Sequence, residues 1–410
     1  MSAIISQIAL LLRFCIMLYV MAAPAANLNV RSEIPITTVQ SEVEIKQMED
    51  LGKLAAKRAQ NGHVVITMTD WTYRGVALNW IAHMKYLGLT NFVVVATEKR
   101  VLPLLGEYGT LFEPKEMNIT KGWEFKCRHS PLWYVKHVSI LAAMKGTLMD
   151  KIAVTWSDAD CIWFGDYTSW LNKNHPGEKI DIVAQRGKHP ADIAKKRGST
   201  LSIGLCTLFP TTNALSFYED FVYNKYIDAV YKGDCDDQVL INEILERGGS
   251  FENINTTYQS IKQGQPIVYA KVSEDKVNIT VIAGLLPYPE FPRGTLTSTS
   301  AQTAEWNKYR CNGSIIWHLL AQKKSADKHS HMVGMGVFSL RDGWEKATTW
   351  AEAEPFFAMD HIKNTISRSC NNIPRNISMS PKPLSSKQLD SVLGNKTVSS
   401  AATIATATLS

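Results

Sequence analysis

Two aspartates, Asp158 and Asp160, stand one residue apart at the end of the apolar run "KIAVTWSDAD" (151–160). Like charges so placed repel each other unless a cation lies between them. On an extended strand, residues i and i+2 share one side, ~6.5–7 Å apart along the chain. At the carboxyl end of a strand in an open α/β sheet, that side faces a ligand crevice. The pair can then hold a divalent ion through hard oxygen donors and leave positions open for a diphosphate. Such donors suit Mn2+ or Mg2+ rather than a structural zinc. A solvated turn after a strand would also account for a lone D-x-D. The aromatic "CIWFGD" that follows makes this a costly place for two unpartnered charges. A second acidic cluster, "GDCDDQ" (233–238), opens a helical pattern, where acids favour the N-terminus for structural reasons alone.

The elements that must position these groups alternate along the chain. β-branched apolar runs predict strands at 62–69, 91–97, 151–160, 179–185 and 201–210. Between them, "YRGVALNWIAHMKYLGL", "VLPLLGEYG", "SPLWYVKHVSILAAMKGTLM" and "TNALSFYEDFVYNKYIDAVY" have helical spacing. This alternation from about 62 to 245 predicts an α/β fold with a mostly parallel central sheet. Apolar runs "QPIVYAKV", "VNITVIAGLLPYP" and "SIIWHLLA" follow, parted by Gly, Pro and Asn. Residues 26–60 read as a stem or leading helix, 61–350 as the main domain, and 360–410 as a disordered low-complexity tail rich in Ser, Thr, Asn, Lys and Ala.

At 410 residues, with 45% hydrophobic and 20% charged residues, the chain has an ordinary globular composition. A net charge of +6 without a basic block interleaved with aromatics gives no footprint for nucleic acid. Residues 1–25 read as a signal peptide with "APA" (23–25) as a cleavage site, or as a signal anchor with Arg13 near its middle. Either option places the body in the secretory pathway, and a membrane is met only through that anchor. Six N-x-S/T sequons, at Asn118, Asn255, Asn278, Asn312, Asn376 and Asn395, agree with it. Beyond Cys15, six cysteines (Cys127, Cys161, Cys206, Cys235, Cys311, Cys370) are an even set. They fit some disulfides plus some buried thiols, with no metal-binding spacing.

The segments "VVITMTDWTYRGVALNWIAHMKYLGLTNFVVVAT", "WSDADCIWFGD", "IVAQRG", "GDCDDQVLIN" and "IIWHLLA", in this order, resemble the nucleotide-diphospho-sugar transferase family over roughly residues 60–345. That family includes plant cell-wall arabinosyl- and xylosyltransferases and related galactosyltransferases. The resemblance implies a GT-A fold, a single Rossmann-like domain with the donor across its switch point. It implies a Golgi or endoplasmic-reticulum lumenal enzyme, type II or secreted. It would transfer a hexosyl or pentosyl group from a UDP-sugar to a glycan or glycoprotein hydroxyl with Mn2+ (or Mg2+), retaining anomeric configuration.

Carried over by position, Asp158 and Asp160 match the metal-binding D-x-D, and His318 resembles the late histidine that completes that site. Thr69, Asp70 and Tyr73 fall where the nucleotide would lie, although Thr69 and Asp70 could equally cap the next helix. Lys136 matches a basic residue before the D-x-D strand, or is a solvated helix lysine. Asp236, Asp237 and Gln238 would face the sugar or acceptor hydroxyl. Asp237 is the candidate for stabilising a cationic centre, and Gln185 and Gln238 for sugar-hydroxyl contacts. Glu98 replaces a shorter acid, and "IGLCTLFP" lacks the family's asparagine. A haloacid-dehalogenase-type Mg-dependent phosphatase also uses D-x-D at a strand end. Against it, Ile162 stands where that motif wants Thr or Val, and the pair follows several strands. A non-catalytic lumenal carbohydrate-binding protein is the other alternative.

Overall fold

A computed structural model describes residues 41–113, 130–174, 180–197, 199–231, 236–247, 254–259, 267–274, 277–287, 290–294, 314–319 and 325–367. Residues 1–25, read above as a leader, the sequons at Asn118, Asn312, Asn376 and Asn395, and Cys15, Cys127, Cys235, Cys311 and Cys370 lie outside them.

The β-branched runs become strands because both of their faces are covered. β1 (His63–Thr69), β2 (Phe92–Ala96), β3 (Gly109–Leu111) and β4 (Ala153–Ser157) form one half of a nine-stranded sheet. β6 (Ile182–Gly187), β7 (Thr200–Leu208), β8 (Ile254–Gln259), β9 (Ile267–Glu274) and β10 (Val277–Leu285) form the other. The order is β3-β2-β1-β4-β7-β6-β10-β9-β8. β1 pairs in parallel with β2 and β4, and β10 with β6. β7 runs antiparallel to both its neighbours, and β9 to both of its own. The fold is therefore α/β with a mostly parallel central sheet.

The helices cover the sheet with apolar faces. α1 (Glu42–Arg58) packs on α2 (Ser130–Thr147), buries Leu51 and Ala55, and approaches most closely at Gly52 and Gly146. The leading helix is thus part of the core and not a free stem. The amphipathic run after β7 forms one helical stretch with a π segment, Phe217–Tyr223, at its middle. α3 (Asp237–Arg247) starts at the second acidic cluster. A small three-stranded sheet joins β5 (Cys161–Trp163), β11 (Arg293–Gly294) and β12 (Ile316–Leu319) beside the end of β4. α4 (Ser325–Gly334) follows it.

Two expectations need correction. The D-x-D is not on the strand, because β4 ends at Ser157. Asp158 N still donates to Gly204 O on β7 at 2.7 Å, and the chain then turns, with Cys161 N donating to Asp158 O at 2.9 Å. The predicted tail begins later than 360, since α5 (Met359–Ser367) buries Ile362 and Thr365. Cys161 and Cys206 are buried free thiols, which agrees with the buried-thiol part of the cysteine reading.

Candidate active site

The turn after β4 aims both carboxylates at one atom. His318 Nε2 lies 3.7 Å from Asp158 Oδ2 and 3.6 Å from Asp160 Oδ1. His318 reaches that point because β12 pairs antiparallel with β5, which sets His318 opposite Cys161, the residue that follows Asp160. Its other ring nitrogen, Nδ1, is 3.0 Å from Gln185 Oε1. Gln185 Nε2 donates to Phe291 O at 3.0 Å and Pro292 O at 2.9 Å, so its amide orientation is fixed and Oε1 accepts. His318 Nδ1 must therefore carry the proton, which leaves the Nε2 lone pair facing two carboxylate oxygens. Burial pulls the His318 imidazolium down to about 4, so the neutral ring stands at physiological pH. Three acceptors converge, and acceptors repel without a cation among them.

Two lysines neutralise the flanks. Lys136, buried on α2, lies 3.8 Å from Asp158 Oδ1 and 3.2 Å from Asp237 Oδ2. Burial favours loss of its proton, but Asp158 and Asp237 more than offset that and hold it charged. Burial pushes Asp237 up, and Lys136 offsets this only in part. Lys328 on α4 pairs with Asp160 Oδ2, and its Nζ lies 5.3 Å from the Tyr73 ring centroid. Burial alone would raise Asp160, yet the Lys328 ammonium holds it below the usual carboxylate range. The Asp158 side chain is 34% exposed and that of Asp160 3%, so the converging atoms are open to solvent on the Asp158 side. Trp156 Nε1 donates to Asp158 Oδ1 at 2.7 Å and fixes that carboxylate from the sheet.

The cluster collects most of the sequence candidates: Asp158, Asp160, His318, Gln185, Lys136, Asp237 and, through Lys328, Tyr73. Gln238 Nε2 donates to His189 O at 2.7 Å, and its Oε1 accepts from Arg293 at 3.3 Å. Asp236 is instead the cap of α3, where Oδ1 accepts from Gln238 N and Val239 N at 3.0 Å each. Its other oxygen is 3.1 Å from His189 Nε2. Asp70 Oδ1 accepts from Tyr73 N at 2.6 Å, and Thr69 Oγ1 donates to Asp70 O at 3.0 Å. The capping alternative accounts for Asp70, which accepts a backbone N–H at the start of the next helix, but not for Thr69, whose hydroxyl donates to a carbonyl.

Sequence reasoning missed three participants. Gly204 on β7 leaves the room that His318 occupies, since a Cβ there would lie 2.1 Å from His318 Cε1 and 2.7 Å from Asp158 Oδ2. A glycine inside a strand run was a usable signal. Arg293, within the field of Asp158, Asp160 and Asp237, comes from an irregular segment with no periodicity to mark it. Lys328 is one of several lysines in "AQKKSADKHSH".

The donor set fits a divalent cation: two carboxylate oxygens and one imidazole nitrogen whose tautomer is fixed by an outer hydrogen bond. Among the described residues, the group whose ligand atoms all lie within 4.8 Å of one another is Asp160, Cys161 and His318; Asp158 stands outside it, although its Oδ2 is 3.7 Å from His318 Nε2.

No family profile and no curated protein matches the chain. Solved structures similar to it include glycosyltransferases. The galactosyltransferase LgtC, in complex with donor and acceptor sugar analogues, is 10% identical, with a TM-score of 0.38 over 69% of this chain and 99% of LgtC. Mouse xyloside xylosyltransferase 1 is 10% identical, with a TM-score of 0.33 over 63% of this chain and 98% of that enzyme. The bifunctional glycosyltransferase WbbM is 9% identical, with a TM-score of 0.33 over 75% of this chain and 50% of WbbM. The geometry of the site itself carries the functional reading.

Proposed function

We propose that this chain is a metal-dependent glycosyltransferase. It takes a UDP-sugar and passes the glycosyl group to a hydroxyl of a glycan or glycoprotein in the lumen of the secretory pathway. The convergence of Asp158 Oδ2, Asp160 Oδ1 and the His318 Nε2 lone pair is the observation that supports this most. Mn2+ or Mg2+ would be held by those three residues. Bound there, the ion neutralises the negative charge that grows on a departing diphosphate. The resemblance of the motif order supplies the donor class, and the leader and sequons supply the compartment.

The chain's own groups divide the remaining work. Gln185 fixes His318 as a neutral ligand, and Trp156 and Lys136 hold Asp158 in place. Lys328 and Arg293 add positive charge around a dianionic leaving group, where fixed charges stabilise without reorganising. Asp237, seated beside Lys136, faces electron deficiency at the anomeric carbon. The sugar–oxygen bond to the diphosphate breaks as the bond to the acceptor oxygen forms. With attack from the leaving-group side, the acceptor proton passes to a diphosphate oxygen and configuration is retained.

Thermal unfolding with UDP and a panel of UDP-sugars, with and without Mn2+, tests this. UDP is expected to stabilise the wild type only in the presence of metal. Asp158→Asn and Asp160→Asn are expected to lose the effect. Equal, metal-independent stabilisation in all three proteins would overturn it. So would Mg-dependent hydrolysis of simple phosphoesters with no response to UDP.

A further inference from the structure

Cys161 follows Asp160 and stands directly opposite His318 in the β5–β12 pair. It is buried, and its thiol donates to Gly204 O at 3.5 Å and also meets the Ser157 hydroxyl. One ligand atom each from Asp160, Cys161 and His318 lies within 4.8 Å of the other two. Two cation seats therefore overlap, sharing Asp160 and His318. One is completed by the oxygen of Asp158 and the other by the sulfur of Cys161. Hard ions such as Mn2+ and Mg2+ choose oxygen, whereas thiolate donors select zinc and its heavier congener cadmium.

We infer that Asp160, Cys161 and His318 form a binding seat for thiophilic divalent cations, Zn2+ above all, whose occupation excludes the hard ion from the Asp158–Asp160–His318 seat. A tetrahedral zinc brings its ligand atoms to about 3.5 Å from one another, so from separations within 4.8 Å the trio closes by about 1.3 Å at most. On binding, the thiol proton leaves to solvent and a metal–sulfur bond replaces the S–H bond. Lys328 holds the Oδ2 side of Asp160, so Oδ1, the oxygen beside His318, is the one offered. Zinc is then an inhibitor of the activity proposed above, while its binding does not depend on that activity.

The full-length protein is titrated with Cd2+, and the ultraviolet cadmium–thiolate charge-transfer band is read as a difference between variants. The wild type and Cys206→Ser, which lacks the other described free thiol, are expected to show the same band. Cys161→Ser and Cys161→Ala are expected to lose the saturable component, with far-UV circular dichroism confirming the fold. Asp158→Asn is expected to keep it. Zn2+ is expected to abolish Mn2+-dependent stabilisation by UDP in the wild type, and Cys161→Ser should need at least ~10-fold more zinc, since losing even an outer partner of a metal ligand costs that much. An unchanged band in both Cys161 variants would overturn the inference, and so would the absence of any band in the wild type. Loss of the band in Asp158→Asn would place the ion on the acid pair and overturn it too. If the zinc seat is present but UDP has no effect on any variant, the donor proposal fails and the seat stands.

Discussion

At the scale of single residues, Gly204 and Lys136 decide whether the acid pair keeps its shape. Gly204→Ala would set a methyl group 2.1 Å from His318 Cε1 in a strand fixed on both sides. Its expected outcome is a loss of ~1–3 kcal/mol by overpacking. The metal-dependent response to UDP should vanish at a temperature where circular dichroism still reports a folded protein. Lys136→Met removes the cation shared by Asp158 and Asp237, both within 4 Å of its Nζ. Removing one partner of a buried pair costs roughly 3–5 kcal/mol. Urea unfolding should show that loss, and Lys136→Met/Asp237→Asn should recover part of it. Asp158 and Asp160 were legible in the sequence because a D-x-D closing an apolar run conflicts with burial unless it does chemistry. Arg293 and Lys328 were not, because what makes them part of the site is a fold that returns the chain to it after more than 130 residues. The same pattern that flagged Asp236 as a candidate also describes a helix cap, and capping is what its carboxylate does.

At the scale of elements, the tightest joint is between α1 and α2. A Cβ on Gly146 would lie 2.5 Å from Gly52 Cα, and one on Gly52 would lie 2.9 Å from Ala142 O. Both obstacles are backbone and cannot rotate away. Gly146→Ala is therefore expected to push the helices apart and lower stability by ~1–3 kcal/mol, measured as a fall in the urea midpoint with little change in slope. Alanine at the same point of an isolated helix would favour helix formation, so the sign separates packing from propensity. β3 and β5 went unread, while β1, β2, β4, β6 and β7 were readable from their periods. Their directions were not: nothing in "LSIGLCTLFP" distinguishes a parallel from an antiparallel strand when both neighbours bury it. The end of β4 was misplaced because apolar residues resume at Ala159 and Cys161 while the ladder stops at Ser157. The change is set by the Asp158–Cys161 turn, which periodicity does not register.

At the scale of the whole molecule, buried histidines set the response to acid. His63 and His83 are pulled down to about 4 and His137 well below the usual imidazole range, in each case first by burial. The unfolded chain takes up these protons near pH 6.5, before the folded one does. Stability is therefore complete above pH 6.5 and is lost as pH falls toward 4, at about 1.4 kcal/mol per pH unit for each histidine. Cooperative unfolding within that window is expected. In His63→Gln the dependence should weaken by one proton, as judged from urea midpoints across the range.

The small sheet has a further effect on when the protein becomes itself. β5 and β12 are partners, yet Trp163 and Ile316 stand 153 positions apart along the chain. During synthesis the acid pair emerges from the ribosome long before the histidine that it surrounds. For that interval the nascent chain carries two carboxylates at the end of a half-made sheet, with neither their imidazole nor Lys328 in existence. A ribosome-stalled fragment ending before His318 should thus lack the metal seat altogether, so that cation capture serves as a timestamp for the last step of assembly.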